Sequence, residues 1–203
     1  MALFGRVRTA ERRRTTASAD AEQGLALLDA ARRRRAALAA PSTLAEAVIT
    51  AAVSTVGVEA GSPLHAGLVD AALLGYACRI SPGPVPDHAR AAIEAHLVRT
   101  GDGSLDYESV TGIPDAVHAL VRTATSLTAS PATMAAATGV SEGAWASCCA
   151  AAASELRDNL LRSGLPDQPI LEHAFLATMI RLGVVLGMID ELAEQSPESA
   201  SPR

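Results

Sequence analysis

Apolar residues recur three or four positions apart along most of the chain, which is the spacing of one face of an α-helix. Leu44, Val48 and Ile49 show it after Ser42. Serine followed by proline at 62–63 and 130–131 marks two further helix starts, because serine caps a helix and proline suits its first position. The predicted helices cover 19–40, a segment after Ser42 that includes Val53, 63–80, 87–100, 114–127, a short segment after Pro131, 141–163 and 170–193.

Composition favours the same fold class. The 203 residues are 49% hydrophobic but only 2% aromatic. A core of alanine, leucine and valine suits helices at close approach, whereas a sheet would normally use more β-branched and aromatic residues. Residues 101–112 are the one place where a short hairpin is plausible, and a long loop is the favoured interpretation there. We predict an all-α, compact bundle of seven to eight helices with a helix-turn-helix-like unit.

The ends of the chain differ from its middle. Residues 1–19 are polar and lack periodicity, so we predict a flexible basic arm, followed by a helical domain over 20–194. The tail, 195–203, is predicted to be disordered. Residues 174–189 are apolar but include Arg181 and fall short of the ~20 residues that a membrane span needs, so they predict a buried helix.

The cysteines indicate a reducing compartment. Cys78 stands alone and Cys148 and Cys149 are adjacent, so the number is odd and no disulfide framework is expected. No secretory signal is visible, and we expect a cytoplasmic protein. Cys148 and Cys149 fit a redox or sensor pair, but their position among alanines favours buried, inert thiols.

The positive charge is concentrated in the first 40 residues, which contain nine arginines and four acidic residues and therefore carry a net charge of +5. The rest of the chain carries −10. Such a segment can contact phosphate backbones, anionic lipid or an acidic partner surface. The plainer interpretation is a solvated helix face, or one paired with the acidic body of a neighbouring subunit.

The segment 130–163 has the pattern of a helix-turn-helix. Ala135 is the small residue at the helix crossing, and Gly139 can adopt the positive φ of the turn. Ser141 is placed to cap the second helix. The positions expected to be buried hold apolar residues, namely Met134, Val140, Trp145 and Cys148.

Residues 113–163, which include GVSEGA (139–144), resemble the helix-turn-helix of TetR-type regulators. The resemblance implies that Ser141, Glu142, Gly143 and Ala144 lie at a DNA groove and that Trp145 locks the core. In that family the unit stands at the N-terminus, whereas here more than 110 residues precede it. The candidate nucleic-acid-binding residues are Arg6, Arg8, Arg12, Arg13, Arg14, Arg32, Arg33, Arg34, Arg35, Ser141, Glu142, Gly143 and Ser147.

Two functions remain open after considering the charge distribution and the helix-turn-helix-like segment 130–163, which we call the corner. The first is a non-enzymatic regulatory or nucleic-acid-associated protein, a dimer or other homo-oligomer that contacts duplex DNA. The second is a helical scaffold or adaptor that acts through a protein partner, because no Arg, Lys, Asn or Gln precedes Arg157 on the second helix to read bases. A third interpretation, which we favour least, is an enzyme or small-ligand binder with a pocket between helices.

No catalytic, cofactor or metal site is predicted. Asp115 and His118 share a helix face, but no further ligands stand at a compatible spacing, so surface or capping histidines are the expectation. Phosphate loops, nucleophile elbows and dinucleotide fingerprints are absent from the sequence. Gly183 and Gly187 allow close approach of another helix, in the core or at a dimer seam.

Overall fold

The computed structural model describes residues 2–37, 42–79, 85–96, 98–99, 105–106 and 109–194. This part of the chain forms eight α-helices, so the all-α fold and the helix number are confirmed. The helices are α1 (Ala2–Arg35), α2 (Thr43–Ser54), α3 (Pro63–Cys78), α4 (Asp87–Glu94), α5 (Pro114–Thr128), α6 (Pro131–Thr138), α7 (Glu142–Arg162) and α8 (His173–Glu194). Short 3-10 turns at Ser109–Gly112 and Pro169–Leu171 precede α5 and α8.

Serine caps fix the starts of four helices. The side chains of Ser42, Ser62, Ser130 and Ser141 each accept a hydrogen bond from the backbone N–H three residues ahead, at 3.0–3.2 Å. Proline follows at the start of α3 and α6, where its missing N–H costs nothing. These starts are therefore encoded locally, and the sequence predicted them correctly.

The core is built around α8, which packs along α3. Leu176, Ile180, Val184 and Met188 of α8 are fully buried. A Cβ added to Gly183 would overlap the backbone carbonyl of Ala72, so this glycine lies at the contact between α8 and α3 in the core. None of the helices in the described part of the chain is long and apolar enough to cross a membrane.

The segment after α4 departs from the prediction. α4 ends at Glu94 instead of Thr100, and β1 (Val98–Arg99) pairs antiparallel with β2 (Leu105–Asp106). The preference for a loop is therefore wrong at 105–106, where a minimal hairpin forms. The β-branched Val98 favours the extended backbone over a further helical turn.

The first 19 residues also differ from the prediction. α1 is continuous from Ala2 to Arg35, so the helix begins at residue 2 and not at residue 19, and the segment predicted to be a flexible basic arm is helical over residues 2–19. Alanine, arginine and glutamate are strong helix formers, and they extend a helix that tertiary contacts stabilise further along. The absence of periodicity indicated a lack of burial, and indeed residues 15–19 are exposed. The predicted disordered tail, 195–203, lies outside the described residues.

Candidate functional site

The predicted corner contains the expected local elements. Gly139 ends α6 with a φ of 71°, and Ser141 caps α7. Met134, Trp145 and Cys148 are buried, as the pattern required, whereas Val140 is only partly buried. α5 precedes the corner along the chain. The function of this corner as a DNA-reading helix-turn-helix stays a prediction.

The N-terminal half of α7 lies against α1. The hydroxyl of Ser141 donates a hydrogen bond to Oδ1 of Asp20 at 2.6 Å. A Cβ added to Gly143 would overlap the Asp20 carboxylate. A Cβ added to Gly24 would come within 2.9 Å of both the backbone nitrogen of Cys148 and Cβ of Ser147. The two helices therefore pack closely, with glycines where they approach each other.

The candidate residues of α7 consequently divide into two groups. Ser141, Gly143 and Ser147 stand beside α1, and Ser147 is half-buried. Glu142 is exposed, but its negative charge would repel phosphate. A groove-binding role for these four residues stays a prediction, and α1 would have to leave α7 before Gly143 or Ser147 could reach a base.

The arginines at the C-terminal end of α1 fall into pairs with different surroundings. Arg32 forms an ion pair with Asp29 at 2.7 Å and another with Glu155 of α7. Arg35 forms an ion pair with Asp70 of α3. Arg33 and Arg34 are exposed. The other five candidates, Arg6, Arg8, Arg12, Arg13 and Arg14, lie on the N-terminal half of α1, and their side-chain positions are outside the described part of the structure.

A cleft opens where α1, α3 and α7 meet, and we call it the three-helix cleft. Its volume is about 450 Å³. Ala71, Leu74, Ala152 and Leu156 form an apolar floor. Polar and small residues complete the lining, namely Arg32, Arg35, Ala36, Asp70, Glu155 and Asn159.

The three cysteines are buried and unbonded, so the position predicted for Cys148 and Cys149 is confirmed. A side-chain hydrogen bond joins Cys78 and Cys148, which are 70 positions apart in the sequence. This bond lowers the pKa of Cys148, assisted by Arg32 and opposed by burial. The same bond, together with burial, raises the pKa of Cys78. Burial raises the pKa of Cys149 to about 12.

The raised pKa of Cys149 predicts loss of stability in alkali. Above 9.0, its ordinary value, the thiol ionises in the unfolded chain while the folded chain keeps its proton. Cys149 alone should therefore lower the free energy of unfolding by ~1.4 kcal/mol per pH unit until the pH approaches its folded pKa of about 12. Urea midpoints at about pH 8 and about pH 10.5 measure this slope. Cys149→Ala should reduce it, and equal slopes in the two proteins would contradict the assignment.

Two of the five histidines contact threonines of other helices. Nε2 of His88 lies 2.8 Å from Oγ1 of Thr133, and Nε2 of His96 lies 2.6 Å from Oγ1 of Thr123. Asp115 and His118 are exposed on α5. Within the described ranges, no three His, Cys, Asp or Glu side chains come together in a way that could hold a metal ion.

A buried carboxylate joins three helices near the end of α8. Asp190 is 8% exposed and accepts a hydrogen bond from the Tyr76 hydroxyl at 2.8 Å. The hydroxyl of Ser42 also donates to it. The bonds connect the start of α2 and the C-terminal part of α3 to α8, so this polar cluster positions helices. The sequence contains no local signal for this cluster.

The sequence did contain one unused signal for the contact between α1 and α7. A glycine inside a helix costs ~1 kcal/mol relative to alanine, so its presence points to a close approach of another chain segment. Gly24 and Gly143 are such glycines, and both lie at this contact. The helix that each glycine contacts could not be identified from sequence, because Gly143 lies 119 positions after Gly24.

Comparison with known proteins gives no relative: no family model, no curated protein and no solved structure matches the chain.

Proposed function

We propose that the chain is a non-enzymatic helical assembly protein of the cytoplasm, in which the arginines of α1 contact the acidic body of a second copy. The observation that carries the proposal is the continuity of α1. It is a single helix of 34 residues that packs on its own body from Asp20 to Arg35. Residues 15–19 are exposed, and five arginines precede them.

Charge complementarity supports a second copy as the partner. The first 40 residues carry +5 and the remainder −10, so the chain supplies both surfaces. Many acids of the body are exposed, including Glu46, Glu59, Asp87, Asp115, Glu142 and Asp158. Contacts between exposed charges are screened over about 8 Å at physiological salt, so this association should depend strongly on ionic strength.

Sedimentation velocity tests the assembly. We expect the full chain to form dimers or larger species at low salt and to dissociate as salt is added. Replacing Arg6, Arg8, Arg12, Arg13 and Arg14 by glutamine keeps helix propensity but removes five charges, so the variant should be monomeric. The matched variant with five lysines keeps the charge and should still associate. A wild-type chain that is monomeric at low salt would refute the proposal.

Nucleic-acid association is the second candidate, because the corner at 130–163 has the capped second helix and the left-handed glycine of a helix-turn-helix. In this case the arginines of α1 would contact phosphates. The logarithm of the binding constant would then fall linearly with the logarithm of the salt concentration. The same glutamine and lysine variants, titrated into duplex DNA, separate the two candidates. Charge-dependent DNA binding by a monomeric chain would favour the second, whereas self-association without DNA binding favours the first.

A further inference from the structure

The three-helix cleft combines an apolar floor with charges of both signs. Arg32 and Arg35 are three residues apart on α1 and therefore share one side of the cleft. Glu155 on α7 and Asp70 on α3 stand across from them. The volume of about 450 Å³ lies within the range of small-molecule sites.

The ion pairs across the cleft can be replaced by ion pairs with a ligand. Glu155 and Asp70 are each 49% exposed, so either carboxylate can turn to solvent at small cost. Two cations and two anions line the cleft in equal number. A ligand with one charge would leave a protein charge without its partner, whereas a ligand with both charges would restore every pair.

We propose that the three-helix cleft binds a small zwitterion, a free α-amino acid with an aliphatic side chain. Its carboxylate would accept hydrogen bonds from Arg32 and Arg35, whose planar guanidinium groups suit a carboxylate. Its ammonium group would pair with Glu155 or Asp70. Its side chain would cover Leu74 and Leu156. The proposal goes beyond self-association and does not depend on it.

Leucine and two of its derivatives test the charge requirement. N-acetyl-leucine keeps the carboxylate and side chain but loses the ammonium group, and leucinamide loses the carboxylate. In two-dimensional NMR titrations of the full chain we expect leucine to saturate with a Kd of about 0.1–1 mM. Each derivative should bind at least ~10-fold more weakly, because a charge-assisted contact is lost.

Two variants with matched controls locate the site. Ala36→Trp should abolish binding by filling the cleft, whereas Ala37→Trp should not, because Ala37 is exposed but does not line the cleft. Glu155→Gln should weaken binding ~10-fold. Asp167→Asn should leave it unchanged: this change breaks the ion pair between Asp167, in the loop after α7, and Arg157 of α7, and neither residue lines the cleft.

Three results would overturn the proposal: no saturable shift with leucine at tens of millimolar, equal binding of N-acetyl-leucine or leucinamide, or unchanged binding by the Ala36→Trp variant. Sedimentation of the same samples keeps this test separate from the assembly. A chain that stays monomeric yet binds leucine supports the ligand proposal and contradicts self-association. A chain that associates but does not bind leucine supports self-association and contradicts the ligand proposal.

Discussion

Gly183→Ala should lower the free energy of unfolding by at least about 3 kcal/mol, and the variant is expected to be largely unfolded or to accumulate poorly. The added Cβ would overlap the carbonyl oxygen of Ala72 and lie 2.6 Å from the backbone nitrogen of Tyr76. Backbone atoms cannot rotate away as a side chain can, so α3 and α8 would have to separate. Gly75, where a Cβ would overlap the carbonyl of Ile180, should behave in the same way.

Circular dichroism during urea denaturation measures this effect. Gly112→Ala is the matched control, because nothing lies within 4 Å of its added Cβ and its change should be within ~0.5 kcal/mol. A Gly183→Ala protein with wild-type stability would mean that α3 and α8 are farther apart than the structure places them.

Gly24→Ala should lower the free energy of unfolding by about 2–3 kcal/mol, although alanine is the better helix former. The added Cβ would press on the backbone nitrogen of Cys148 and on Ser147, so α1 must move away from α7. Trp145, the only tryptophan, is 2% exposed on α7 and reports this movement. Its fluorescence emission should shift to longer wavelength as water gains access.

Ser18→Ala is the control for Gly24→Ala, because Ser18 is exposed on the same helix. Its stability and tryptophan emission should match the wild type. If the Gly24→Ala variant is instead stabilised by ~1 kcal/mol, the gain expected from helix propensity alone, α1 does not pack on α7 at this position.

Local chemistry explains what the sequence could predict. The starts of α2, α3, α6 and α7 each depend on a serine hydroxyl oxygen. This oxygen accepts a hydrogen bond from the backbone N–H three residues later. The turn before α7 depends on the positive φ of Gly139. Such signals lie within a few residues of the feature that they encode, so a single sequence contains them completely.

Contacts between distant segments explain what could not be predicted. The hydrogen bond between Cys78 and Cys148 and the ion pair between Arg32 and Glu155 join residues far apart in the chain. The cleft lies where α1, α3 and α7 meet, and the spacing of apolar residues in the sequence does not predict it. The N-terminal half of α1 illustrates a different limit, because a polar segment shows no apolar periodicity even where it is helical.

The corner at 130–163 shows the same division. Its caps and its turn follow from the sequence. The surroundings of α7 depend instead on α1, which begins 140 positions earlier. A local pattern can therefore indicate the shape of a corner without showing which of its faces is available for binding.

α1 lies against Ser141, Gly143 and Ser147, three of the residues predicted to contact DNA, and amide hydrogen exchange tests this placement most directly. We predict that residues 24–31 of α1 and 144–149 of α7 exchange as slowly as the buried part of α8, with no change when duplex DNA is added. Exchange within seconds at residues 24–31, or new protection of residues 141–147 on addition of DNA, would contradict the account.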